Sequence, residues 1–253
     1  MIKFVLFASA LVIYFFTSIL ITLFSGFSFD LARPHLTKVI AMTSKVGLKI
    51  IGIKVVQKFH PVNPMENYLI VSNHLSYVDV MVISSFFPSC FITSREMKET
   101  FFLGHLCLLG GCLFVDRKNH KNLHKEVKEL TQALKNGVNV TIFPEAASTD
   151  GSSVIRFRRP LFQAALDSQS RILPICLNYK TIDSSTVTLK NRDIIFWYGK
   201  MTFLDHAFRL FSHKKIIVEL NVLPSISAMD FSDKKALADK CHELIDAEYN
   251  NII

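Results

Sequence analysis

Between Phe4 and Phe29 the chain carries no charged residue. It also lacks a Cys-x-x-Cys pair, a Gly-x-Ser-x-Gly run, an internal repeat and any low-complexity tract. Each absence removes a class of explanation. The five cysteines, Cys90, Cys107, Cys112, Cys176 and Cys241, are odd in number and poorly spaced for metal. That argues against a disulfide framework or a zinc site and for a reducing, cytosolic face. Without the glycine-flanked serine, a hydrolase of the nucleophile-elbow kind is disfavoured. Acidic residues are scarce at the start: residues 1–60 hold seven lysines and arginines against Asp30 alone, which is +6 of the net +8. A basic excess confined to one end, beside a long apolar run, points to an anionic lipid surface and not to nucleic acid.

The charge-free run is rich in Phe, Leu, Ile and Val and long enough to cross a bilayer or to lie within one leaflet. Its one Ala-x-Ala site, Ala8-Ser9-Ala10, falls inside the run, which does not suit a cleaved signal peptide. Basic residues follow the run more heavily than they precede it, so the positive-inside rule puts the body of the protein on the cytoplasmic side. Lysines spaced among Val, Ile, Leu and Met over 35–55 predict an interfacial amphipathic helix. With 253 residues, half of them hydrophobic, the chain can build one sizeable core plus an accessory segment. We expect a membrane anchor with a basic helix over 1–60 and an α/β domain over 61–253.

Beyond Pro64, short apolar runs alternate with helical stretches. Candidate strands are 68–73, 90–94, 112–116, 139–143, 172–179, 193–198 and 216–222. Leu123, Val127, Leu130 and Leu134 recur at helical spacing ahead of Gly137, and 78–87, 97–109, 160–168 and 231–249 also read as helices. Such alternation implies a largely parallel mixed sheet of about seven strands covered by helices. Ligands of such sheets gather beyond the carboxyl ends of the strands, where His74, Arg117 and Glu145 would converge.

The stretch Asn73-His74-Leu75-Ser76-Tyr77-Val78-Asp79 places an imidazole and a carboxylate at a spacing that suits general-base chemistry: the base takes a hydroxyl proton and the carboxylate steadies the imidazolium. The spacing alone decides little, since it would arise by chance about 0.4 times in a chain of this composition. Ser76 to Asp79 also fits a helix capping box, which is compatible with the chemistry. Further along stand Phe114-Val115-Asp116-Arg117, then Phe143-Pro144-Glu145-Ala146-Ala147-Ser148, then Leu173-Pro174-Ile175. His120 and His124, four apart among lysines, read as a solvated basic face, and no metal site is expected.

These four blocks, in this order, resemble the four motifs of the glycerolipid acyltransferases, the 1-acylglycerol-3-phosphate acyltransferase family. The resemblance covers roughly 68–225. It implies transfer of a fatty acyl group from a thioester, acyl-CoA or acyl carrier protein, to the hydroxyl of a lysolipid, with no cofactor. By that resemblance His74 is the general base, Asp79 orients it, and Arg117 and Glu145 help to bind the acceptor head group. Phe143, Pro144, Asn73, Ser76 and Ser148 join them as substrate-binding residues, and backbone amides near Ser76 are candidate oxyanion donors. The family usually shows Phe-Pro-Glu-Gly-Thr-Arg in its third motif. Here Ala146, Ala147 and Ser148 replace the last three residues, removing a hydroxyl and a phosphate-pairing cation. That departure, with Arg156-Phe157-Arg158-Arg159 and Trp197-Tyr198-Gly199-Lys200-Met201, resembles a bacterial branch that includes lyso-ornithine lipid acyltransferases. The implied location is the inner membrane of a bacterium. The rival readings are a membrane-tethered lipid-binding protein of the same fold with impaired catalysis, and a lipid hydrolase.

Overall fold

The computed structural model describes residues 2–116 and 122–252. In chain order the elements are α1 (Ile2–Phe24), α2 (Phe29–Ile51), β1 (Ile53–Phe59), β2 (Tyr68–Ser72), α3 (Val78–Ser84), β3 (Ser89–Ser94), α4 (Arg95–Lys98), α5 (Phe101–Leu109) and β4 (Leu113–Val115). There follow α6 (Leu123–Lys135), β5 (Asn139–Ile142), α7 (Gln163–Ser168), β6 (Arg171–Ile182), β7 (Ser185–Thr186), α8 (Phe203–Ser212), β8 (Ile216–Val222), β9 (Ile226–Ser227) and α9 (Lys234–Glu248). The strands form one mixed sheet in the order β1-β8-β6-β2-β5-β3-β4, with β7 and β9 paired to β6. All neighbours from β6 to β4 run parallel, and β8 meets β6 antiparallel.

Connection handedness sorts the helices. From β2 to β3 the chain moves one way along the sheet, and from β4 to β5 and β5 to β6 it moves back. Right-handed crossovers therefore put α3 on one face and α6 and α7 on the other. The α1–α2 pair packs over the α3 face. α1 is 23 residues long and apolar enough to cross a membrane. It keeps Val5, Val12 and Phe16 exposed and buries Tyr14, whose hydroxyl donates to the Leu106 carbonyl at 2.7 Å.

The amphipathic helix expected over 35–55 stops at Ile51. Gly52 ends it in the left-handed region at φ 96°, donating to the Leu48 carbonyl at 3.0 Å. A side chain there would lie 2.2 Å from the Lys214 carbonyl oxygen, so only glycine fits. The next seven residues form an edge strand beside β8, missed in sequence because Lys54 and Lys58 continue the lysine spacing of the helix. The strand expected over 193–198 is also corrected: it is a turn of 3₁₀ helix followed by irregular chain. Its apolar residues Ile195 and Phe196 are buried, but Trp197 gives its backbone N–H to the Leu75 carbonyl at 2.9 Å and not to a strand. A short apolar run identifies burial better than it identifies pairing.

Candidate active site

Three parallel strands deliver the site. β2 ends at Ser72, β5 at Ile142, and the segments that follow them meet. β6 pairs with β2 only as far as Ile175 and then runs on to Ile182, so its second half stands above the end of β2. Asn73 stitches the gap: its side chain donates to the Leu177 carbonyl at 3.0 Å and accepts from the Leu177 N–H at 2.8 Å.

His74 then projects into the space beyond β2 while Asp79 returns from the first turn of α3. His74 Nδ1 lies 3.0 Å from Asp79 Oδ2. The same oxygen accepts the backbone N–H groups of Leu75 at 2.6 Å and Ser76 at 2.8 Å. The second of these is the return half of the capping box, so the cap and the contact to His74 share one carboxylate. The other oxygen, Oδ1, accepts the Tyr179 hydroxyl at 2.7 Å. Asp79 is wholly buried. A carboxylate only accepts, so a neutral His74 must carry its proton on Nδ1, which leaves Nε2 as the free base. The imidazole stacks on the Phe143 ring at 4.0 Å and 13°, which fixes its plane. Its side chain keeps 18% exposure.

Glu145 completes the constellation from beneath. Its Oε1 accepts the His74 backbone N–H at 3.3 Å, and Oε2 has no hydrogen-bond partner among the described residues. Burial pushes its carboxyl up to about 9; the His74 N–H opposes the shift and the Asp79 charge adds to it. A carboxyl desolvated with no partner cation among the described residues holds its proton.

A mostly apolar cleft of about 840 Å³ opens beside the imidazole. Leu11 and Phe15 of α1, Leu106 of α5 and Phe203 of α8 form part of its wall, and His74, Ser148 and Trp197 stand at its polar end. The Ser148 hydroxyl donates to the Trp197 carbonyl. Ala146 also lines the cleft and holds φ 69°, a left-handed backbone that favours glycine.

Of the residues picked out in sequence, His74, Asp79, Glu145, Phe143 and Ser148 are brought together. Asn73 and Ser76 are buried outside the cleft, and Pro144 does not line it. Arg117 and His120 lie outside the described residues. The amides of Leu75 and Ser76 are occupied by Asp79, so neither of these two is free to act as an oxyanion donor. Sequence reading missed Tyr179, which the overhang of β6 aims at Asp79. It also missed Thr149, whose N–H donates to the His74 carbonyl at 2.9 Å. Tyr77 and buried His206, 3.0 Å apart, were missed as well.

The family model described as Acyltransferase matches residues 52–178, half of the chain. This chain belongs to the Acyltransferase family. It is an enzyme of the lysophospholipid acyltransferase kind, and its apolar α1 fits membrane association. A 1-acyl-sn-glycerol-3-phosphate acyltransferase of Neisseria gonorrhoeae is 29% identical over 179 residues, covering 71% of this acyltransferase and 68% of the relative. A lyso-ornithine lipid O-acyltransferase of Rhodobacter capsulatus is 23% identical over 218 residues, covering 84% and 76%. The crystal structure of PlsC from Thermotoga maritima, titled a 1-acyl-sn-glycerophosphate (LPA) acyltransferase, superposes with a TM-score of 0.64. It covers 98% of this chain and 96% of that one at 19% identity, and so establishes the fold.

Proposed function

We propose that the enzyme moves a fatty acyl group from an acyl thioester, acyl-CoA or acyl carrier protein, to the hydroxyl of a membrane lysolipid, with 1-acylglycerol-3-phosphate as the leading acceptor. The observation that carries this reading is a histidine with a free Nε2, braced by a saturated buried carboxylate, at the polar end of a long apolar cleft. The cleft volume falls within the roughly 300–1,000 Å³ of small-molecule sites. It suits an acyl chain, which needs apolar walls and few polar partners.

In the reaction, Nε2 of His74 takes the proton of the acceptor hydroxyl as that oxygen bonds to the thioester carbonyl carbon. The tetrahedral intermediate collapses, the carbon–sulfur bond breaks, and the departing thiolate recovers the proton from the imidazolium. Asp79 holds the Nδ1–H and stabilises the imidazolium. Glu145 accepts the His74 backbone N–H and so positions the base, while its other oxygen stays buried and does not line the cleft. The body sits at the cytoplasmic leaflet, with α1 and α2 as its membrane-contacting part.

A second acceptor, a lyso-ornithine-type lipid, is favoured by one feature. The motif position that holds a phosphate-pairing arginine in the family is Ser148, and its hydroxyl is engaged by Trp197. A zwitterionic head group asks less of that position than a phosphate does.

The test is acyl transfer by purified protein with each lysolipid in turn, beside the His74→Ala variant. Loss of the base should slow transfer by about 10²–10⁴-fold. Equal rates in parent and variant would remove the dyad, and free fatty acid released without acceptor would favour hydrolysis.

A further inference from the structure

α8 carries more apolar surface than the body of the protein covers. His206, Ala207 and Leu210 point inward and are buried, which seats the helix. Leu204 and Phe208, four residues apart on the next ridge, remain 60% and 58% exposed. A lone exposed leucine needs no explanation, but a contiguous apolar face does. Phe208 stacks on Phe4 of α1 with ring centres 5.4 Å apart. Phe211 meets Phe4 and Phe7 edge-on at 6.2 and 5.2 Å. The exposed ridge of α8 therefore runs directly into the exposed face of α1.

Two further observations fix what covers it. Lys3 Nζ donates to the Ile51 and His213 carbonyls at 2.6 Å each, tying the start of α1 to the ends of α2 and α8. Whatever medium surrounds the first turns of α1 thus also meets α8. The cations around α8, Lys200, Arg209, Lys214 and Lys215, are exposed and make no ion pair among the described residues. An apolar ridge flanked by free cations matches acyl chains beneath anionic head groups.

We propose that α8 is a second lipid-contacting element, lying in the membrane interface beside α1 with Leu204 and Phe208 in the acyl region and the flanking cations at the phosphates. Phe203 and Leu204 of α8 and Leu11 and Val12 of α1 all line the catalytic cleft, so its wall is continuous with the leaflet on this side. The proposal rests on the reading of α1 as immersed in a leaflet, and the test separates the two.

Full-length protein carrying Phe208→Trp, Leu204→Trp, Phe16→Trp or Lys235→Trp is reconstituted into phosphatidylethanolamine–phosphatidylglycerol vesicles with brominated or ordinary acyl chains. Emission is read above that of the parent, whose one tryptophan is Trp197. Bromine should remove most of the added emission at positions 208, 204 and 16 and leave that at 235 unchanged. If position 16 is quenched while 208 and 204 behave like 235, α8 is not a lipid contact and the anchor stands. If position 16 is not quenched either, the anchor reading fails and α8 falls with it.

Discussion

Replacing Asp79 by asparagine isolates the charge of the carboxylate from its geometry. The three donors on Oδ2 (His74 Nδ1, Leu75 N and Ser76 N) demand an oxygen at that place, so the new amide must orient its oxygen toward them. Its NH₂ then faces Tyr179, whose hydroxyl turns from donor to acceptor. His74 keeps its proton on Nδ1 and its ring on Phe143, and only the support of the imidazolium is lost. At the observed 3.0 Å and an effective dielectric near 20, two full charges attract by roughly 5 kcal/mol. With the proton about half transferred in the transition state, about half of that is lost, which corresponds to roughly a hundredfold in kcat. The assay is the initial rate of product lipid formation with saturating thioester over a range of lysolipid concentrations, beside a thermal melt to confirm the fold. KM should stay near the parent value. A kcat equal to that of the parent, with the fold intact, would refute the general-base role assigned to His74.

Tyr179→Phe removes one donor to the Asp79 carboxylate and makes it more basic toward His74, so the acid limb of the pH–rate profile should move to higher pH while KM is unchanged; an unmoved limb would leave Tyr179 a packing residue. Glu145 holds its proton up to about 9 in the folded protein against 4.5 for the ordinary group. The folded state therefore binds a proton that the unfolded chain releases, so the contribution to stability is full below the lower value and is lost as pH rises toward the upper one. Glu145→Gln does not titrate, so its urea midpoint should fall less than the parent's as pH is raised across that window; parallel curves would show that Glu145 is not the titrating group. Ala146→Gly relieves the left-handed backbone at φ 69°, and after the greater freedom of unfolded glycine is subtracted it should stabilise by up to about 1 kcal/mol, read as a higher melting temperature.

The sequence by itself picked out residues that the fold gathers at the strand ends, and it gave notice of the layer plan. His74, Asp79, Phe143 and Glu145 are local to strand ends, and strand ends are legible because apolar runs of the right length stop at Asn73 and Pro144. The apolar start was equally plain, since a charge-free stretch of that length reads as a candidate membrane segment. Tertiary structure decided the rest. Whether residues 53–59 belong to the lysine-rich helix or to the sheet depends on β8, more than 150 residues away, and on the one glycine that turns the chain toward it. Tyr179 reaches Asp79 only because β6 outruns β2, a difference in length that no local pattern records. The same holds for Phe4 and Phe208: each reads as ordinary in its own segment, and their stacking exists only once α1 and α8 are packed side by side. Local propensity is set by neighbours in the chain, whereas these contacts are set by neighbours in space.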